Sequence, residues 1–505
     1  MQLRMLAGGA ALLLSGCTVG PNFTVPHWAH PASWFAGRPK PPVAPSEPVA
    51  APINPDWWEL FGDPKLTALE RQVAADNLDV REAGIRIAES RAQLGITGAG
   101  FYPSFNANAS YEREKPSNLG IISLFPSSGG TAANGAFGNS TAIPVSPPNI
   151  GAFDIFQYGF DASWEPDIWG QVRRSVESAK AKVAASAYAE RAVLLSALAE
   201  VARDYIDLRG TQEQLRIVRE NLSIARQSLV LTEERHAAGL TSELDVDNAS
   251  AQVSTIEAQI PALQQQEHAG INALSLLLGM PPNALAADLT TAEPVPPVPA
   301  EVPVGFPSEL ARRRPDVLEA EAELHAATAN VGVAVADFYP QVTLSASLGF
   351  QALDFGNLFK WDARQYSAGP GITLPIFQGG QLRYTLDLRK AQQMEAAVNY
   401  EKTVLSAWHD VDNALTAYTR EQQRRAALER AVQQNRRAVA LAQERYQHGV
   451  ADFLQVLTAE QALLSTDQSL VRSTTTVSTN LVALYKALGG GWQSFYPGTA
   501  DIKTR

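Results

Sequence analysis

Cysteine and histidine are scarce: Cys17 is the only cysteine in 505 residues, and there are seven histidines. This excludes a disulfide framework and leaves little material for a structural metal site. Positive charge is in deficit. With 41 Lys and Arg against 52 Asp and Glu, the net charge is −11, which argues against a nucleic-acid partner. The motifs GxxxxGK, HExxH and GxSxG are absent. His409-Asp410 is a lone pair on a helical stretch, and Arg312–Arg314 before Pro315-Asp316 reads as a solvated helix start. The chain is therefore read as no enzyme, with no cofactor and no metal. Long hydrophobic runs are missing too. After residue 17 no uninterrupted apolar stretch reaches the ~18–20 residues of a spanning helix. Such a chain can cross a bilayer only as a closed β-barrel.

The chain opens MQLRMLAGGAALLLSGC. Arg4 gives a basic start, and Met5 to Leu14 an apolar stretch too short to span. The ending Leu14-Ser15-Gly16-Cys17 resembles a bacterial lipobox. That resemblance implies cleavage before Cys17, lipidation of Cys17 and, with Thr18 rather than Asp following, sorting to the outer membrane. Residues 1–16 are thus expected to be a lipoprotein signal peptide. Residues 17–56 are expected to be a lipidated N-terminus and a Pro-rich tether, with RPKPPVAPSEPVAAP at its centre.

The rest is a plan written twice. The first repeat covers 57–280: a helix, strands over 101–113 and 153–166, and a long helical hairpin over 170–278. A Pro-rich linker takes 281–307. The second repeat covers 308–490: a helix, strands over 338–350 and 363–376, and a hairpin over 380–488. A C-terminal tail, 491–505, follows. The strands alternate. Phe105, Ala107, Ala109 and Tyr111 face away from Asn106, Asn108 and Ser110; Val342, Leu344, Ala346 and Leu348 face away from Thr343, Ser345 and Ser347. Residues 115–151, rich in Gly, Ser, Asn and Pro, read as a long loop. No proline occurs in 170–237 or 380–447, so each could form one helix of ~100 Å, with Gly210 the one interruption in the first. Gly170 matches Gly380, Arg235 matches Arg445, Gly239 matches Gly449, and Leu278-Gly279 matches Leu488-Gly489, all at one offset.

Strands with one apolar and one polar face suit an outer-membrane barrel, apolar side to lipid. Aromatic residues near the strand ends, Phe101, Tyr102, Trp164, Trp169, Trp361, Tyr366 and Phe377, suit interfacial girdles. Four strands cannot close an aqueous barrel, so the chain must oligomerise in a multiple of four strands. The helices exceed the ~30 Å hydrocarbon core and must project to the periplasmic side.

The stretches CTVGPNF, DWWELFGDPKL, SWEPDIWGQVRRSVESA, PSELARRRPDVLEAEAELHAATANVGVAVADFYP, LPIFQGGQLR and YKALGGGW together resemble the outer-membrane factor family, in its NodT-type lipoprotein branch related to TolC. The resemblance spans nearly the whole mature chain. It implies a mainly α fold with a transmembrane β part: a homotrimer forming a 12-stranded β-barrel continued by a 12-helix periplasmic tunnel. It implies the exit duct of a tripartite efflux system for small molecules, lipid-anchored in the outer membrane. A periplasmic adaptor would join it to an inner-membrane pump of the resistance-nodulation-division or major-facilitator class. A type I protein-secretion duct of the same fold and a structural coiled-coil lipoprotein are the alternatives. The resemblance places a gate just after the second turn. Leu454 matches the family's leucine ring and Tyr446 a tyrosine of the closing network. Thr458 stands where the family's aspartate ring falls, so that ring is not inherited. Asp245 matches a family aspartate on the first turn. Asp245, Asp247 and Asp452 have two readings: anionic charge beside the constriction, or charges favoured at a helix start. The turn residues Gly239, Leu240, Thr241, Gly449, Val450 and Ala451 are the expected adaptor contacts.

Overall fold

A computed structural model describes residues 18–26, 33–34, 45–117 and 151–496. The signal segment, Cys17, part of the expected tether, most of the long loop and the end of the tail lie outside the described residues. In chain order the elements are β1 (Glu47–Val49), α1 (Pro64–Asp76), α2 (Leu78–Gly98), β2 (Ser104–Glu114), β3 (Phe153–Trp164), α3 (Gln171–Ala237), α4 (Glu243–Glu257), α5 (Gln259–Leu277), α6 (Ala286–Leu289), β4 (Glu301–Pro303), α7 (Leu310–Arg313), α8 (Pro315–Ala336), β5 (Gln341–Ala352), β6 (Arg364–Thr373), α9 (Gln381–Gln447) and α10 (Phe453–Ala487). They fall into two compact units. One holds 95–177, 329–389 and the N-terminal stretch to Pro21; the other holds the remainder.

The first unit contains an antiparallel sheet of order β2-β3-β5-β6. Its register sets Phe105 beside Ala162, Ala107 beside Phe160 and Tyr111 beside Phe156. The same face continues through Phe160 beside Leu348 and Tyr158 beside Phe350, then Leu348 beside Tyr366 and Val342 beside Ile372. Every strand thus contributes apolar side chains to one face. The other face carries Asn108 beside Gly159, Asp161 beside Ser347 and Ser345 beside Gly369. On it Asn108 donates to Asp161, and the Ser347 and Ser367 hydroxyls meet at 2.9 Å. All four strands depart from their expected limits by one to three residues: β3 ends at Trp164, and β5 runs Gln341–Ala352 because residues 337–339 turn after α8. Residues 99–101 form a 3₁₀ turn, so β2 begins at Ser104. Strand β6 stops at Thr373 and holds Pro370 within it, as an edge strand allows.

The second unit is helical. Helices α3 and α9 are each 67 residues long. Gly210 does not interrupt α3. A Cβ there would collide with the Thr475 side chain of α10, so this glycine permits close helix packing rather than a break. The return from α3 is split at Ala258 into α4 and α5, whereas the return from α9 is the unbroken 35-residue α10. Pro261 explains the difference, since proline is tolerated only in a helix's first turn.

The expected tether needs correction at its end. Strand β1 pairs in parallel with β4. Ser46 is buried; its N–H donates to Gln422 Oε1 at 3.2 Å, and its hydroxyl accepts from Tyr418 at 2.6 Å. Proline-rich sequence lacks local ladder donors, but partners more than 250 positions away supply the bonds. The linker 281–307 likewise buries Leu289, Val302 and Val304. The core of this unit is built on Trp57, Trp58, Phe61, Tyr205, Tyr418 and Tyr485, with Trp57 stacked on Tyr485 at 5.4 Å.

Candidate functional site

The two turns that join the long helices to their return helices are built alike. Gly239 and Gly449 have φ +71° and +73°, where a Cβ is strained. Leu240 N–H donates to Arg235 O and Gly239 N–H to His236 O, both at 2.8 Å. Val450 N–H donates to Arg445 O and Gly449 N–H to Tyr446 O, both at 2.9 Å. Each is a Schellman closure that satisfies the last carbonyls of its helix. Leu240 and Val450 stand exposed at the tips, with Thr241 and Ala451 half-buried beside them.

The acidic residues enter the return helices. Asp245 accepts from the Thr241 hydroxyl, from Ser242 Oγ at 3.1 Å and from Ser242 N–H at 3.3 Å. The Thr241 hydrogen bond, with help from Ser242, holds its carboxyl below the usual aspartate range. Asp452 caps α10 by accepting from Gln455 N–H at 3.2 Å. Asp247 is exposed. Two of the three aspartates are thus committed to helix starts, where they also present negative charge at the tips.

Leu454 projects into solvent in the single chain, and so does Leu244, its duplicate on the first turn. The offset could have revealed Leu244; the resemblance named only Leu454. Thr458, at the place of the family aspartate, turns its hydroxyl back to Leu454 O at 2.7 Å. Tyr446 is buried against Phe453 at 5.5 Å, with Ala249 and Val456 around it. The Arg235 guanidinium lies over its ring at 4.8 Å and donates Nη1 to Gln447 O at 3.0 Å. Arg235 ties the first turn to the second. Deeper in, Glu460 of α10 is buried and accepts from Ser228 of α3 and from Gln443 Nε2 of α9, the latter at 3.0 Å. Burial pushes its carboxyl upward. No sequence motif marked this junction. Among the described residues no cluster of His, Cys, Asp and Glu could hold a metal ion. No described helix is long and apolar enough to cross a membrane.

A sheet with an apolar face on all four strands, in a chain with paired long helices, is the pattern that an outer-membrane channel chain would need. A family model described as outer membrane efflux protein matches residues 69–280 and 306–490, and the chain belongs to that family. It is 33% identical over 493 residues to the pyoverdine export outer membrane protein OpmQ of Pseudomonas aeruginosa, covering 97% of both chains. It is 31% identical over 494 residues to the probable efflux pump outer membrane protein TtgC of Pseudomonas putida, covering 95% of this chain and 94% of that one. Among solved structures, the outer-membrane channel OprN aligns with a TM-score of 0.82 at 33% identity, over 94% of this chain and 100% of that one. CusC aligns with a TM-score of 0.78 at 26% identity, over 94% and 100%. The protein is an outer-membrane component of an efflux system.

Proposed function

We propose that three copies of this chain join their sheets into one 12-stranded barrel, continued by a periplasmic tunnel of 12 helices. The observation that carries this reading is the sheet. Its apolar face runs across all four strands, with Phe105 74%, Tyr366 78% and Ile372 72% exposed. Its edge strands β2 and β6 have no further partner among the described residues. Lipid would cover that face, and other copies would pair those edges. The polar face would line a water-filled lumen.

The duct would be passive. A periplasmic adaptor would engage the tips at Gly239, Leu240, Thr241, Gly449, Val450 and Ala451, and an inner-membrane pump would drive export. Relatives are named for pyoverdine, toluene, antibiotic and cation export; small toxic compounds are the cargo proposed here. Cys17 would carry the lipid anchor. Leu454, with Asp245, Asp247 and Asp452 near it, would form the periplasmic constriction. The decisive test is reconstitution. Native mass spectrometry should give three copies, planar bilayers should show ion conductance, and a deletion strain should gain drug or metal susceptibility. A monomer without conductance would reject the duct.

A further inference from the structure

The residues that follow Cys17 are held firmly. Val19 N–H donates to Trp169 O at 3.1 Å. Arg174, near the start of α3, is only 3% exposed. It donates Nε to Val19 O at 3.1 Å and Nη2 to Gly20 O at 3.3 Å, while Nη1 pairs with Glu177 at 2.7 Å. Gly20 has φ +90°, and a Cβ on it would lie 2.5 Å from Gly332 Cα. A Cβ on Gly332 would in turn sit 2.9 Å from the Arg174 side chain. The backbones of Gly20 and Gly332 therefore touch, and neither position has room for a side chain.

The seat lies where strands pass into helices. Trp169, five residues after β3, stacks on Tyr339, two residues before β5, at 4.7 Å. Its Nε1 donates to Pro340 O at 2.8 Å. Such amphipathic rings favour a membrane–water boundary.

The duplicated copy is the control. Gly380 repeats the turn of Gly170, with φ +88° against +85°. The position that matches Arg174 is Tyr384, 72% exposed. Burying a guanidinium is costly unless its donors are paired. That cost is met at one of two equivalent places, the one where the N-terminal segment docks.

We propose that Arg174, Gly20 and Gly332 form a seat that positions the lipidated N-terminus at the foot of the sheet. The proposal rests on the reading of Cys17 as acylated. Cys17 Cα is ~3.8 Å from that of Thr18 across one peptide bond. A free tether from Cys17 to residue 45 would let the anchor wander on the order of 30 Å. The seat removes that freedom, so acyl chains and barrel wall enter the bilayer as one body.

The test uses the full-length protein purified from outer membranes into lipid nanodiscs. The Val19 amide should resist hydrogen exchange in the unaltered chain, and Arg174→Ala should lower its protection about tenfold or more, as expected for a lost charged hydrogen bond. Arg174→Lys, with fewer aligned donors, should fall between. Folded protein in the outer-membrane fraction should then be compared in the presence and absence of the anchor. Arg174→Ala and Gly20→Val should lower it severalfold with Cys17 present, and not further in a Cys17→Ser chain. An equal drop in both backgrounds overturns the positioning role, as does free exchange at Val19 in the unaltered protein. An N-terminal peptide mass without acyl chains rejects the anchor reading instead, and it does so whether or not Val19 is protected.

Discussion

Tyr446 and Leu454 lie eight positions apart and meet opposite surroundings. Tyr446 is buried under Arg235 and against Phe453; Leu454 is bare in the single chain. A buried ring fixes the turn, while a bare leucine is free to crowd a pore axis with those of other copies in the proposed trimer. Leu454→Ala should therefore raise conductance in planar bilayers without lowering thermal stability, and adding Leu244→Ala should raise it further. Unchanged conductance in both Leu454→Ala and Asp245→Ala would remove these residues from the gate. Asp245→Ala should cost about 0.5 kcal/mol, through the lost capping-box acceptor and first-turn charge at the start of α4. Its pH dependence has a definite sign. The folded carboxyl lies below its ordinary value, so its contribution is present above the unfolded value of ~3.9 and is lost as pH falls through the lower folded one. Protease nicking at the first tip should increase below about pH 4 in the unaltered chain, and Asp245→Asn should flatten that response.

Three helices meet at Glu460, and its burial makes the opposite prediction. A carboxyl raised by burial contributes stability below its unfolded value of ~4.3 and loses it as pH rises through the folded value. Glu460→Gln keeps an oxygen for Ser228 and Gln443 and removes the titration. Its thermal midpoint should exceed that of the parent at about pH 8 and match it at about pH 4. The sheet allows a sharper comparison, because neighbours in one strand lie on opposite faces, which the proposed barrel would turn to lipid and to water. Leu348→Arg should cost ~2–4 kcal/mol if that position nears the bilayer midplane, whereas Ser347→Arg should leave assembly intact and shift ion selectivity. Outer-membrane yield reads the first and reversal potential the second. These contrasts were legible because alternation at period two is local. So were the turns, since Gly239 and Gly449 supply a backbone that few other residues adopt. The burial of Ser46 was not legible, because its partners Gln422 and Tyr418 lie over 370 positions away. Nor was the seat at Arg174. Nothing local distinguishes an arginine that binds distant carbonyls from the exposed arginines common on helices.

At the scale of the whole molecule, the proposed barrel would pair the open edges β2 and β6 with other copies, and a native mass spectrum with any number of copies other than three would contradict it. The equal length of α3 and α9, 67 residues each, has a consequence for inheritance. One inserted residue would advance the rest of a helix by ~1.5 Å and rotate it by ~100°. Inserted in α3 before Val218, it would swing Val218 and Leu222 away from Leu464. It would also put the turn at Gly239 out of step with that at Gly449. Seven residues would restore the face but shift the turn by ~10 Å. Only matched insertions in both long helices and both return helices keep faces and turns together. Lineages of such chains can therefore drift in sequence far more easily than in span. OpmQ differs at two-thirds of aligned positions yet aligns over 97% of both chains.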